Sequence, residues 1–82
     1  MQVHVLFFAQ LRDVAGMASL KAELESGATV ADLITSLSSN VELFNALQDA
    51  SLMVSVNHQI SDRSFVLNEA DEVGFLPPVS GG

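Results

Sequence analysis

Between Thr29 and Ser38 the apolar residues recur in helical step, whereas the segments on either side of that stretch alternate in strand step. Val30, Leu33, Ile34 and Leu37 stand at i, i+3, i+4 and i+7, which puts them on one stripe of an α-helix. Thr29 offers an N-cap oxygen and Asp32 lies in the first turn, a relative of the capping box. Upstream, Val3-His4-Val5-Leu6-Phe7-Phe8-Ala9 is β-branched and aromatic, and Ser19 to Glu25 alternates with Leu20, Ala22 and Leu24 on its apolar side. Downstream, Leu52 to Asn57 and Val73 to Leu76 alternate again. One amphipathic helix among strands has to bury its stripe against a sheet. The order is strand, strand, helix, short helix, strand, weak strand, strand. That order predicts an α+β domain with a mixed sheet of about five strands on one main helix, because a helical crossover after a hairpin returns a strand parallel to one already placed.

Polar residues decide which side of each strand faces inward. His4 prefers water, so Val3, Val5 and Phe7 are assigned to the core and Leu6 and Phe8 to the opposite face. The polar run Gln10-Leu11-Arg12-Asp13 breaks the first strand, and Gly16 closes the connection to an antiparallel second strand. Ser26-Gly27-Ala28 reads as a turn, and Asn40 as the cap of a short helix carrying Leu43, Phe44 and Leu47. In the third strand Leu52, Val54 and Val56 point inward, leaving Met53 and Ser55 outside. Asn57-His58 reads as a turn, since Asn tolerates positive φ. Ile60 and Ser64-Phe65-Val66-Leu67 fit a short edge strand or a helical turn equally well, which leaves the segment 58–70 open. Asn68-Glu69-Ala70-Asp71 turns into the last strand, where Glu72 marks the wet side and sends Val73 and Phe75 inward, Gly74 and Leu76 outward. If these strands are neighbours, Leu6, Phe8, Met53 and Leu76 form a contiguous apolar cluster on the face away from the helix. On a small acidic domain such a cluster reads as a partner surface.

Charge and composition exclude several functions. The 82 residues make one domain, with Arg12, Lys21 and Arg63 against ten acidic residues and a formal charge of −7. That balance opposes nucleic acid and anionic membrane surfaces and favours a basic protein partner. The absence of cysteine removes disulfides, thiolate nucleophiles and thiolate metal sites, so any sulfur chemistry requires imported sulfur. His4 and His58 have no partner in ligand spacing, so no metal site is expected. Asp71 and Glu72 would point to opposite sides of a strand, which spoils shared acid–base work. Arg12 is read as a local salt-bridge partner rather than a docking guide. With no secretory leader and no apolar run long enough to span a bilayer, a cytoplasmic protein is expected. Nothing in the chain is equipped for catalysis unaided.

The last residues are distinctive. Pro77-Pro78 removes two backbone donors and stiffens the segment, so a domain over 1–76 is expected to give way to an extended tail over 77–82. At about 3.1 to 3.5 Å per residue that tail spans roughly 20 Å. Val79 and Ser80 are followed by Gly81 and Gly82, which have no Cβ and can enter a channel too narrow for side chains. These residues alone fit either a frayed terminus or an arm.

Leu6-Phe7-Phe8-Ala9-Gln10-Leu11-Arg12, Val56-Asn57 and the run from Asp71-Glu72-Val73 to Pro77-Pro78-Val79-Ser80-Gly81-Gly82 together resemble the small, sulfur-carrying subunit of molybdopterin synthase. The similarity covers essentially the whole chain, and the Pro-Pro-Val-Ser-Gly-Gly ending is its specific part. It implies a ubiquitin-like β-grasp fold and a working terminal glycine, which maps onto Gly82. In such a family a ubiquitin-activating-enzyme-like adenylyltransferase uses ATP to activate that carboxylate. A sulfur donor protein then converts it to a thiocarboxylate. The tail, Pro77 through Gly81, threads into the large synthase subunit within a heterotetramer, and sulfur passes to a cyclic pyranopterin precursor to build the molybdopterin dithiolene. No cofactor is expected on the chain itself. A carrier for thiamine or another thiolated product, and a ubiquitin-like modifier or interaction module, are the alternatives.

Overall fold

Gln2–Phe7 forms the first strand (β1), with Val3, Val5 and Phe7 buried and Gln2, His4 and Leu6 half-buried on the other side. The computed structural model describes residues 1–78. After β1 the chain departs from the expected polar break. Ala9 adopts a left-handed φ of 52°, and Gln10–Ala15 winds into a short helix (α1) that buries Leu11. Val14 and Ala15, half-buried at i+3 and i+4 from Leu11, pack with it against the core, a helical spacing too short to stand out beside the polar Gln10, Arg12 and Asp13. Gly16, at φ 76°, caps α1 by donating its N–H to the Arg12 carbonyl at 2.9 Å, the left-handed ending that glycine makes without steric cost.

Ser19–Glu23 (β2) pairs antiparallel with β1, from Gln2 opposite Glu23 to Leu6 opposite Ser19. It ends before the expected Glu25, yet the Leu24 N–H still donates to the Met1 carbonyl at 2.8 Å. The main helix, Val30–Ser36 (α2), begins at a complete capping box. Thr29 Oγ1 accepts from the Asp32 N–H at 3.2 Å, and Asp32 Oδ2 accepts from the Thr29 N–H at 2.9 Å. The next helix, Val41–Leu47 (α3), is capped by Asn40, whose Oδ1 accepts from the Leu43 N–H at 3.0 Å. At its other end Arg63 donates to the carbonyls of Leu47 at 3.0 Å and Asp49 at 2.9 Å, satisfying oxygens that have no partner within the helix.

Met53–Val56 (β3), Gln59–Ser61 (β4) and Glu72–Leu76 (β5) complete a five-stranded sheet in the order β2-β1-β5-β3-β4. β1 and β5 are parallel and every other pair is antiparallel. This mixed sheet, with its helices on one side, is the ubiquitin-like β-grasp arrangement. Val30, Leu33, Ile34, Leu43 and Leu47 pack on the inner sheet residues Val3, Val5, Phe7, Val54, Val56, Val73 and Phe75 in one core. At its centre the rings of Phe7 and Phe75 stack at 6.2 Å.

The segment left open in the sequence resolves in two parts. Asn57 and His58, both at positive φ, make the tight hairpin turn that such backbones favour, so Ile60 is on an edge strand. Ser64 to Val66 is neither strand nor helix. It lies as a loop along the start of α2, where the Phe65 carbonyl accepts from the Val30 N–H at 3.1 Å, and Leu67 following it is buried.

The start of β5 is held by a polar clamp. Asp71, buried, accepts from Asn57 Nδ2 at 2.9 Å and from the Asn68 N–H at 2.7 Å, while Asn57 Oδ1 accepts from the Glu72 N–H at 3.0 Å. Removing one partner strands buried donors, so Asp71→Ala is expected to lower unfolding free energy by about 1 to 3 kcal/mol. Urea denaturation measures this, and an unchanged midpoint would show that the clamp contributes nothing.

Candidate docking face and tail root

The outer face of the sheet is built by register. In the parallel pair Leu6 stands beside Gly74, and in the antiparallel pair Met53 stands beside Leu76 and Ser55 beside Gly74. Because neighbouring residues in register share a face, Leu6, Met53 and Leu76 lie together, as the alternation predicted. Phe8 follows β1 directly and donates its N–H to the Phe75 carbonyl at 3.2 Å, so it rides beside the C-terminal end of β5. Its ring approaches Gly74: a Cβ built there would lie 3.0 Å from Phe8 Cε2 and 2.6 Å from Ser55 Oγ. Phe8 remains 42% exposed and Met53 48%, while Leu6 and Leu76 are half-buried.

A further residue belongs to this face. Ile60 stands opposite Ser55 in the β3–β4 register and is 66% exposed, extending the apolar surface to the sheet edge. The hairpin turn that places it was legible at Asn57-His58, but the pairing beyond the turn was not.

β5 ends at Leu76, so the tail leaves from the middle of the sheet beside Phe8 and Met53. Pro77 is half-buried and Pro78 exposed. The expected threading residues Val79, Ser80 and Gly81 and the terminal Gly82 lie outside the described residues.

The polar groups behave as supports. Glu72 Oε1 lies 3.2 Å from His58 Nε2, the one acid–base side-chain contact within salt-bridge distance among the described residues. The salt bridge expected for Arg12 is therefore not formed there. It sits exposed in the last turn of α1, where the unexpected helix carries it into solvent. No group of three or more His, Cys, Asp or Glu among the described residues can hold a metal ion. The Asp62 carboxyl is held below its ordinary range by hydrogen bonds from the Ser64 hydroxyl and N–H, an arrangement that orders a loop beyond the edge strand. No described helix is long and apolar enough to cross a membrane.

Comparison with known proteins agrees with this geometry. The chain is 33% identical over 81 residues to the molybdopterin synthase sulfur carrier subunit of Escherichia coli (strain K12), covering 98% of this chain and 99% of that protein. It is 31% identical over 83 residues to the protein of the same name from Chlamydomonas reinhardtii, covering 100% of each. Among solved structures, SAMP1 from Haloferax volcanii superimposes with a TM-score of 0.86 at 25% identity over 100% of both chains. A chain in the complex of subunits 1 and 2 of molybdopterin-converting factor from Helicobacter pylori 26695 shares the fold, with a TM-score of 0.72 at 22% identity over 100% of both chains. The ThiS family model matches residues 5–82, from the first strand through the glycines of the tail, and the chain belongs to the ThiS family.

Proposed function

We propose that this chain is the sulfur carrier subunit of a molybdopterin synthase, and that its working group is the carboxylate of Gly82. The observation that carries the reading is structural: the exposed apolar face and the exit of the tail meet at one end of the central β1–β5 pair. The end-to-end similarity to carrier subunits supports it, as does a composition without cysteine.

The chemistry follows from what a terminal carboxylate lacks. At neutral pH it is an anion and a poor electrophile. Attack of a Gly82 oxygen on the α-phosphorus of ATP, in an activating enzyme, releases pyrophosphate and leaves a mixed anhydride. A persulfide sulfur on a donor protein attacks the acyl carbon and expels AMP. A second thiol then takes up the donor's sulfur as a disulfide, and the thiocarboxylate departs. The large synthase subunit receives the outer face, Leu6, Phe8, Met53 and Leu76 together with Ile60, and Pro77 through Gly81 thread toward its pocket. Sulfur passes there to the cyclic pyranopterin precursor. This chain supplies a nucleophilic sulfur and its delivery, and the acid–base groups belong to the partner. It binds no cofactor of its own, and its setting is the cytoplasm.

Intact-mass measurement after incubation with the activating enzyme, ATP and a sulfur donor tests the central step. Exchange of oxygen for sulfur at the acyl end adds about 16 Da. An unchanged mass, or an isopeptide-linked product, contradicts the proposal, and sulfur delivered only to a thiazole-forming enzyme reassigns the pathway. Deleting Gly81 and Gly82 is expected to abolish molybdopterin formation and leave the circular dichroism melt unchanged; normal product formation would sink the role of the terminus. Phe8→Asp and Met53→Asp place a charge in the docking face, and each is expected to weaken large-subunit binding at least about tenfold. Their melting temperatures should fall by no more than a few degrees, roughly the effect of 1 kcal/mol in a domain of this size. A large drop in melting temperature would mean that these side chains support the core instead.

A further inference from the structure

We infer that Gly74 is a positioning residue of the docking face: the missing side chain is the seat that holds the Phe8 ring in the orientation the partner receives. The inference rests on the carrier reading above and adds how the face is made ready before binding.

Three constraints converge on Phe8. Its N–H is tied to the Phe75 carbonyl at 3.2 Å, and its carbonyl accepts from the Leu11 N–H at 3.1 Å. Ala9 then turns the chain at φ 52°, ψ −132°, a backbone that side chains other than glycine rarely adopt. The backbone of Phe8 is thus held on both sides, and only its ring remains to be placed. Gly74 fixes the ring. Gly74 is buried although it lies on the outer face, because the Phe8 ring and the Ser55 side chain cover it. A Cβ at Gly74 would meet Ser55 Oγ at 2.6 Å, which a turn of the hydroxyl relieves, and Phe8 Cε2 at 3.0 Å, so a side chain there presses the ring away from the sheet. Gly74 is in extended β-strand backbone, which any residue adopts, so the fold places no conformational demand for glycine at this position. Contact with Phe8 and Ser55 is the demand that is visible. A ring seated in advance loses little rotational freedom on docking, and a ring left free must be ordered at that moment.

Gly74→Ala is therefore expected to raise the Kd for the large subunit between about twofold and about tenfold, the range for re-ordering one aromatic side chain. In a titration of synthase activity the carrier concentration at half-maximal rate should rise by the same factor. Phe8→Leu removes the ring edge, so adding Gly74→Ala to Phe8→Leu should cost nothing further. Full additivity of the two substitutions, or recovery of binding by Ser55→Ala in place of Phe8→Leu, overturns the inference. A measurement on the unsubstituted chain stands apart from any folding defect: nuclear Overhauser contacts between the Gly74 α-protons and the Phe8 ring should be present in the free chain and persist in the complex. Their loss on binding would show that the ring leaves its seat to dock, against this inference. A chain that never becomes thiocarboxylated overturns the carrier reading, whereas a thiocarboxylated chain whose Gly74→Ala variant binds as tightly as the unsubstituted one overturns this inference alone.

Discussion

The side-by-side, parallel pairing of β1 and β5 determines the rest of the architecture. It runs from His4 beside Glu72 to Phe7 beside Phe75 and brings the first and last strands together at the centre of the sheet. Parallel strands are ordinarily buried on both faces. Here the inner face is covered by α2 and α3, while on the outer face, among the described residues, Phe8 lies over Gly74. Toward the C-terminal end of the pair the outer surface is apolar, carrying half-buried Leu6 and Leu76 with the adjoining, exposed Met53. Because the two strands are parallel, their C-terminal ends coincide, so the tail leaves beside that apolar surface.

This division separates stability from chemistry. The core depends on close-packed residues such as Val3, Leu33, Val73 and Phe75, all inaccessible to solvent, and on the Asn57–Asp71 clamp at the far end of β5. In the proposed mechanism the fold supplies an anchored root and a docking face, while the reactive group is carried on a chain end with the least side-chain bulk. The acidic charge acts on association instead: it keeps the chain away from polyanions and favours a basic partner surface.

Much of this was legible in the sequence because the informative residues act locally. The helix start was written in Thr29 and Asp32, the hairpin turn in Asn57, and the strand faces in single polar residues such as His4 and Glu72. Leu6, Phe8, Met53 and Leu76 could be assigned to one side by alternation alone, and the observed strand order makes them neighbours. What could not be read depended on a stripe too short to stand out or on distant pairing. α1 rests on one short stripe, Leu11 with Val14 and Ala15, and among the described residues Arg12 forms no salt bridge. Ile60 joins the face only through its register with Ser55, and the course of Ser64 to Leu67 is set by hydrogen bonds to Ala28 and Val30 far upstream. Gly74 was placed on the outer face by alternation, but its burial beneath Phe8 is a packing fact that no periodicity contains.

The central claim is that one face of this sheet and the tail leaving it form a continuous docking unit. Amide chemical-shift mapping of the isotope-labelled chain against the large subunit of molybdopterin synthase tests it most directly. The account predicts perturbations in Leu6 and Phe8, in Met53 and Ser55, in Ile60 and along Gly74 to Gly82, with α2 and the solvent side of α3 unchanged. Perturbations centred on the helical side, with the outer sheet face and the tail unaffected, would contradict it.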